Sequence, residues 1–240
     1  VMSTLFYILF SYILSQIQCL PLEDFQQSVD LSSESLSVHC IRSVPLHKKG
    51  DVLLLHGAKF SAKTWETVGT LKALSDAGFE AVAIDLPGYG STEALKFDHQ
   101  PHTVLIKIMK SLSLSKPAII SASMSGMYSL DFIIYHPEDV LAFIPIAPVF
   151  PDNFGNLSVE EPKSATAQAI QSISSLVVWG SKDLPGKRRS KILISMFPKS
   201  IPFEIQGGTH PCYMDEPEMF NRAVTSFLTN HVMIGIANKN

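Results

Sequence analysis

An α/β domain, with a mostly parallel central sheet and helices on both faces, is the fold class this sequence predicts on three observations. Short, continuous apolar runs recur along the chain, as strands covered on both faces require. Between them lie segments whose apolar residues return every three or four positions, as on one face of a helix. The residue types that carry chemistry fall just after the runs, where sheets of this class place their ligands.

In chain order, residues 4–14 (TLFYILFSYIL) are almost wholly apolar and lead into a polar stretch, SQIQCLPLEDFQQS. The apolar run is shorter than the roughly 20 residues a bilayer span needs. No positive charge precedes it, so signal peptide, truncated membrane anchor and buried helix all stay open. Residues 1–20 are set apart as a leader, 21–34 as a polar linker, 35–230 as the α/β domain and 231–240 as a tail. The leader points to membrane association through residues 4–17 or to the secretory pathway.

SLSVHC (35–40) alternates apolar and polar, as a half-buried strand does. Buried strands come next at VLLL (52–55), AVAI (81–84), AII (118–120), AFIPIA (142–147), LVVW (176–179) and IPFEI (201–205). Trp65, Val68, Leu71 and Leu74 predict a helix, and Val104, Ile108 and Leu112 another. Phe220, Ala223, Val224, Phe227 and Leu228 predict a last one, entered by DEPE (215–218), acidic residues and a proline suited to a helix start. Residues 148–174 leave room for a small cap only.

A net charge of −3 with no basic stripe excludes a nucleic-acid surface, and Lys187, Arg188, Arg189 and Lys191 read as a solvated face. Cys19, Cys40 and Cys212 match no metal-ligand spacing; two reduced thiols, or one Cys40–Cys212 bridge, are the alternatives.

The segments at the strand ends are more specific. HGAKF begins at His56, DLPGYGS at Asp85, the serine stretch SASMS at Ser121, GSKD ends at Asp183, and QGGTH ends at His210. A Ser, an Asp and a His beyond successive strands, in that order, can supply a nucleophile, an orienting acid and a general base. A nucleophile on a sharp strand-to-helix turn needs small residues two places to either side. Ser121 is flanked by Ile119, Ser125 by Met127, and Ser129 by Met127 and Asp131; Ser123 alone has small flanks, Ser121 and Ser125, both expected to tolerate Gly. The predicted triad is Ser123, Asp183 and His210, with Asp152 the rival acid. The N–H groups of Met124 and Ala58 are the predicted oxyanion donors. His56 and Asp85 read as shapers of their turns, and Cys212 as core.

VLLLHG, TWETVGTLKALSDAGFEAVAIDLPGYG, ISASMSGMYSL and GGTHPCY together resemble the α/β-hydrolase domain-containing protein 14 family over about residues 50–229. By motif, that family's nucleophile falls on Ser123, its acid on Asp183 and its base on His210. The resemblance implies the α/β-hydrolase fold and a serine esterase-like activity on small acyl esters or acetylated protein, with no required cofactor. One branch is similar to a protein-lysine deacetylase that passes acetyl to coenzyme A, with a transcription-factor partner and a cytoplasmic location. The other carries an N-terminal anchor, which the leader resembles. A non-catalytic binding or scaffold protein on the same fold is the contrasting reading.

Overall fold

The computed structural model describes residues 20–151 and 165–233. Its eight strands are β1 (Glu23–Asp30), β2 (Ser35–Ser43), β3 (Gly50–Leu55), β4 (Phe79–Ile84), β5 (Ala118–Ala122), β6 (Ala142–Ile146), β7 (Ser174–Gly180) and β8 (Ser200–Ile205). They form one sheet in the order β1-β2-β4-β3-β5-β6-β7-β8. β1–β2 and β2–β4 pair antiparallel, and every other neighbouring pair is parallel.

The helices that bear on the site are α1 (Ala62–Thr67), α2 (Thr70–Asp76), α3 (Pro101–Ser111), α4 (Gly126–Tyr135), α5 (Ala165–Ser172), α6 (Leu184–Met196), α7 (Cys212–Asp215) and α8 (Pro217–Phe227). Successive side chains of a strand point to opposite faces, and both faces are covered here. Leu53 and Leu55 join Val104, Ile108 and Phe132 in one core layer. Val52 and Leu54 join Trp65, Leu71, Phe220 and Val224 in the other.

Each of the six runs from 52–55 to 201–205 falls in a strand, with Ala147 just past the end of β6 and only Ile205 of β8 buried. Three readings change. The segment 21–34, expected as a linker, contributes β1, paired with β2 from Glu23↔Arg42 to Asp30↔Ser35. The helix expected over Trp65–Leu74 is two, because the chain turns at Gly69 with φ 74°. The membrane or secretory location is also corrected. No helix among the described residues is long and apolar enough to cross a membrane, and the leader on which that expectation rests lies outside them. Asp152 and residues 152–164 of the expected cap, like the tail from 234, lie outside the described residues as well; α5 is the described end of that insertion.

The sheet order fixes where a site can form. From β3 the chain steps to β4 on one side and then crosses to β5 on the other. The loops leaving β3 and β5 therefore part company at adjacent strand ends and open a crevice between them.

Candidate active site

Ser123 stands at that crevice. β5 ends at Ala122, and the chain enters α4 through a single 3-10 turn, Ser123–Ser125. Ser123 has φ 52°, in the left-handed region that a side chain bearing Cβ seldom occupies. Such strain persists only where the surroundings over-determine it, commonly at functional sites. Here the Val149 N–H donates to the Ser123 carbonyl at 2.8 Å. This close approach demands Gly126, where a Cβ would overlap the Val149 carbonyl oxygen. Crowding is thus shown three residues after Ser123, and the residues two to either side, Ser121 and Ser125, are fully buried.

Ser121 and Ser125 are more than small flanks. Both are fully buried. Ser121 Oγ lies 2.9 Å from Ser125 Oγ and 2.7 Å from Ser129 Oγ. The Ser125 hydroxyl also reaches the carbonyls of Ala122, at 2.9 Å, and Leu55, at 3.2 Å. Glycine would remove these bonds, so tolerance of it at either position carries a cost in stability.

Asp183 and His210 arrive from β7 and β8. Asp183 caps α6, its Oδ1 accepting the Gly186 N–H at 3.0 Å. Its Oδ2 lies 2.6 Å from His210 Nδ1, and His210 Nε2 lies 2.8 Å from Ser123 Oγ. A Cβ at Gly186 would overlap the Asp183 carboxylate, so that residue must be glycine for the carboxylate to sit there. Side-chain exposure is 44% for His210 and 6% for Asp183, leaving the imidazole reachable while the acid is shielded. The loop bearing His210 is tied down by Asp215, which accepts from the Thr209 N–H at 2.6 Å and hydroxyl at 2.7 Å. In the sequence Asp215 marks a helix start, and its place five residues past the histidine is the signal of this second role.

The wall opposite is the loop after β3. A cavity of about 220 Å³ is lined by Gly57, Ala58, Lys59, Phe60, Ser123, His210 and Tyr213, among others. Ala58 is on the cavity wall. Met124 is not: its side chain packs against one core layer. Its N–H belongs to the first turn after β5, where leading N–H groups have no acceptor within the turn.

His56 holds this loop. It is fully buried, and its Nε2 lies 3.1 Å from the Leu86 nitrogen while Nδ1 lies 2.8 Å from the Gly57 carbonyl. An amide can only donate, so Nε2 accepts and Nδ1 carries the proton. Burial, outweighing the Gly57 carbonyl and Asp85, lowers its pKa and keeps the ring neutral. Asp85 likewise serves its turn: it accepts from the Ala62 and Ser91 amides at 2.6 and 2.8 Å.

Cys40 and Cys212 are both free and buried, which settles against the bridge. Burial pushes each thiol up to about 12, so Cys212 is no nucleophile despite its nearness to His210. Lys187 of the basic cluster pairs with Glu204 at 2.7 Å. Among the described residues the one grouping of metal-ligating type is His136, Glu138 and Asp139, at the surface and off the cavity.

Comparison with known proteins agrees with this fold. The alpha/beta hydrolase family profile matches residues 52–185, from β3 past Asp183. Protein ABHD14A of Danio rerio is 36% identical over 184 residues, 74% of this chain and 64% of that protein. ABHD14B of Homo sapiens, named as a candidate protein-lysine deacylase, is 35% identical over 182 residues, 74% of this chain and 82% of that protein. The chain thus spans just under two thirds of the first relative and about four fifths of the second. Among solved structures, a predicted CIB-like hydrolase from Thermoplasma acidophilum covers 88% of this chain and all of its own, with TM-score 0.71 and 22% identity. A thermophilic esterase from Thermogutta terrifontis covers 88% of this chain and 99% of its own, with TM-score 0.68 and 14% identity; both likenesses speak to the fold. A strained strand-to-helix turn at the switch point of an eight-stranded sheet, a matching family profile and relatives above 30% identity converge: the chain belongs to the alpha/beta hydrolase family and, within it, to the ABHD14 proteins.

Proposed function

We propose that this protein is a serine hydrolase or acyltransferase that works through an acyl-Ser123 intermediate on small acyl esters or acyl-lysine. The observation that carries the reading is the unbroken hydrogen-bonded chain from Ser123 Oγ through His210 to Asp183 on the wall of a cavity. Ser123 Oγ attacks the acyl carbon as His210 Nε2 takes its proton. Asp183, accepting from Nδ1–H, fixes the tautomer that leaves Nε2 free and stabilises the imidazolium that forms. The oxyanion draws on the N–H groups of Ala58 and Met124. His210 then returns the proton to the departing alkoxide or amine. Water, or the thiol of coenzyme A, gives its own proton to His210 and attacks the acyl carbon, freeing Ser123.

At about 220 Å³ the cavity is smaller than the roughly 300–1,000 Å³ of sites for drug-sized ligands, in keeping with a short acyl group. The name of the Homo sapiens relative supports acyl-lysine as one substrate class. Ser123→Ala is expected to abolish labelling by a fluorophosphonate probe; labelling that persists overturns the assignment. A timed reaction of acetylated peptide with and without coenzyme A identifies the acceptor, by acetyl-CoA in one case and acetate alone in the other.

A further inference from the structure

Phe60 lines the cavity and has no part in the mechanism just described. Its backbone is held on both sides. The Phe60 N–H donates to the Gly57 carbonyl at 3.0 Å, closing the loop after β3, and Ser61 beyond it stands at the N-cap of α1. The ring is held as well. It meets Tyr213 edge-on, with centroids 6.4 Å apart, and Tyr213 stacks on the fully buried Trp65 at 4.7 Å. Gly57 shows how near this ring comes to the nucleophile. A Cβ placed there would stand 3.4 Å from Phe60 Cδ2 and 3.6 Å from Ser123 Cβ. The ring edge and the nucleophile are therefore both within contact distance of one point.

The cavity has a shielded end and an open one. Ala122, Ile146 and Tyr213 on its wall are buried, and the Tyr213 hydroxyl has no exposed surface to offer a ligand. Ala58, Lys59 and His210 are exposed and mark the open end, with the half-buried Phe60 between the two. In acyl transfer His210 gives its proton to the leaving group, which must therefore lie beside the imidazole. That is the open end, where a large alcohol or a protein-borne amine has room. The carbonyl oxygen turns to its N–H donors. The remaining direction from the acyl carbon, that of the acyl chain, runs to the shielded end.

We infer that Phe60, with Ile146 at the end of β6, sets the upper length of the acyl group this site accepts. The inference rests on acylation at Ser123 and adds the residues that limit the acyl chain. A dry apolar cavity of roughly 150 Å³ takes benzene, a body of six carbons. The cavity here, about 220 Å³, must also hold the reacting centre. It therefore suits an aliphatic acyl group of up to about six carbons and no fatty chain. Fit at such a wall is sensitive, since one methylene in an apolar pocket changes kcat/KM by roughly 10–200-fold.

The test is a series of esters of one alcohol, from acetyl to dodecanoyl, run on the full chain with kcat/KM read against acyl length. The wild-type protein is expected to fall off beyond about six carbons. Phe60→Ala is expected to raise the decanoyl-to-butyryl ratio about tenfold or more, the effect of one methylene. Phe60→Leu, which keeps more of the contact with Tyr213, is expected to raise it by less, and Ile146→Ala to raise it from the other wall. A ratio unmoved by all three overturns the inference, as does a wild-type profile that climbs to the longest chains. A second series, acetyl esters of lengthening alcohols, keeps the two sides of the scissile bond apart. An effect of Phe60→Ala confined to that series puts the ring on the leaving-group side and overturns the inference too. Ser123→Ala separates the two layers: turnover that survives it overturns the proposed function first. Turnover that vanishes with it, beside an unmoved ratio, overturns only the acyl limit.

Discussion

Ser121, Ser125 and Ser129 place three hydroxyls in one buried chain beneath Ser123, and each satisfies another. Their cost appears when one is removed. Ser121→Gly strips partners from both neighbours and adds chain entropy to a strand, so it is expected to destabilise the protein by about 1–3 kcal/mol. Urea unfolding measures this, and a change within about 0.5 kcal/mol, the size typical of neutral surface substitutions, would refute it. This network explains what could be read in advance at the residue scale. The choice of Ser123 followed from side-chain size in the sequence alone. The bonding of its neighbours did not, because three serines at spacings of four and eight meet only once β5 turns into α4. Asp215 was hidden for the same reason: its bond to Thr209 depends on a loop whose path the sequence does not state.

At the scale of elements, the unforeseen member is β1. Its residues are polar apart from Phe25 and Val29, and only Val29 is buried, so no regular alternation advertises a strand. Backbone pairing with β2 and side-chain links, among them Ser37 to Gln26 and Ser28 to Ser35, hold it to the sheet instead. His39 of β2 reaches Asp24 of β1 through Nε2 and Asp85 through Nδ1, each at 2.8 Å. Burial alone would lower the His39 pKa, but the Asp24 and Asp85 carboxylates together outweigh it and raise the value above 6.5. A raised folded-state pKa means the charged form favours the fold. That stability is fully present below the unfolded histidine value, about 6.5, and is lost as pH rises through the higher folded value. A neutral imidazole has one proton and cannot donate to both carboxylates. The urea midpoint is therefore expected to fall between pH 6 and about pH 9 more steeply than in His39→Gln. Parallel pH profiles for the two proteins would refute the assignment. The buried strands, by contrast, were legible because each must be apolar on both faces.

Across the whole molecule, the site takes its residues from three strands at different depths in the sheet. Ser123 follows β5 near the centre, Asp183 follows β7, and His210 follows β8 at the edge. Chain order and strand ends placed these residues from the sequence. The cavity's walls needed the assembled sheet, since Phe60 and Tyr213 are neighbours only in space. The edge position of β8 has a kinetic consequence. Ser123 and His210 are separated by 87 positions, and long-range closures of this kind are slow to form. During refolding, helical signal is expected to recover before reactivity toward a fluorophosphonate, with a delay set by the docking of β8. Stopped-flow circular dichroism beside timed probe labelling measures the interval, and simultaneous recovery would count against it. On the proposed mechanism a nascent or partly folded chain is chemically silent, because Ser123 meets its base only once β8 and the loop after it have docked.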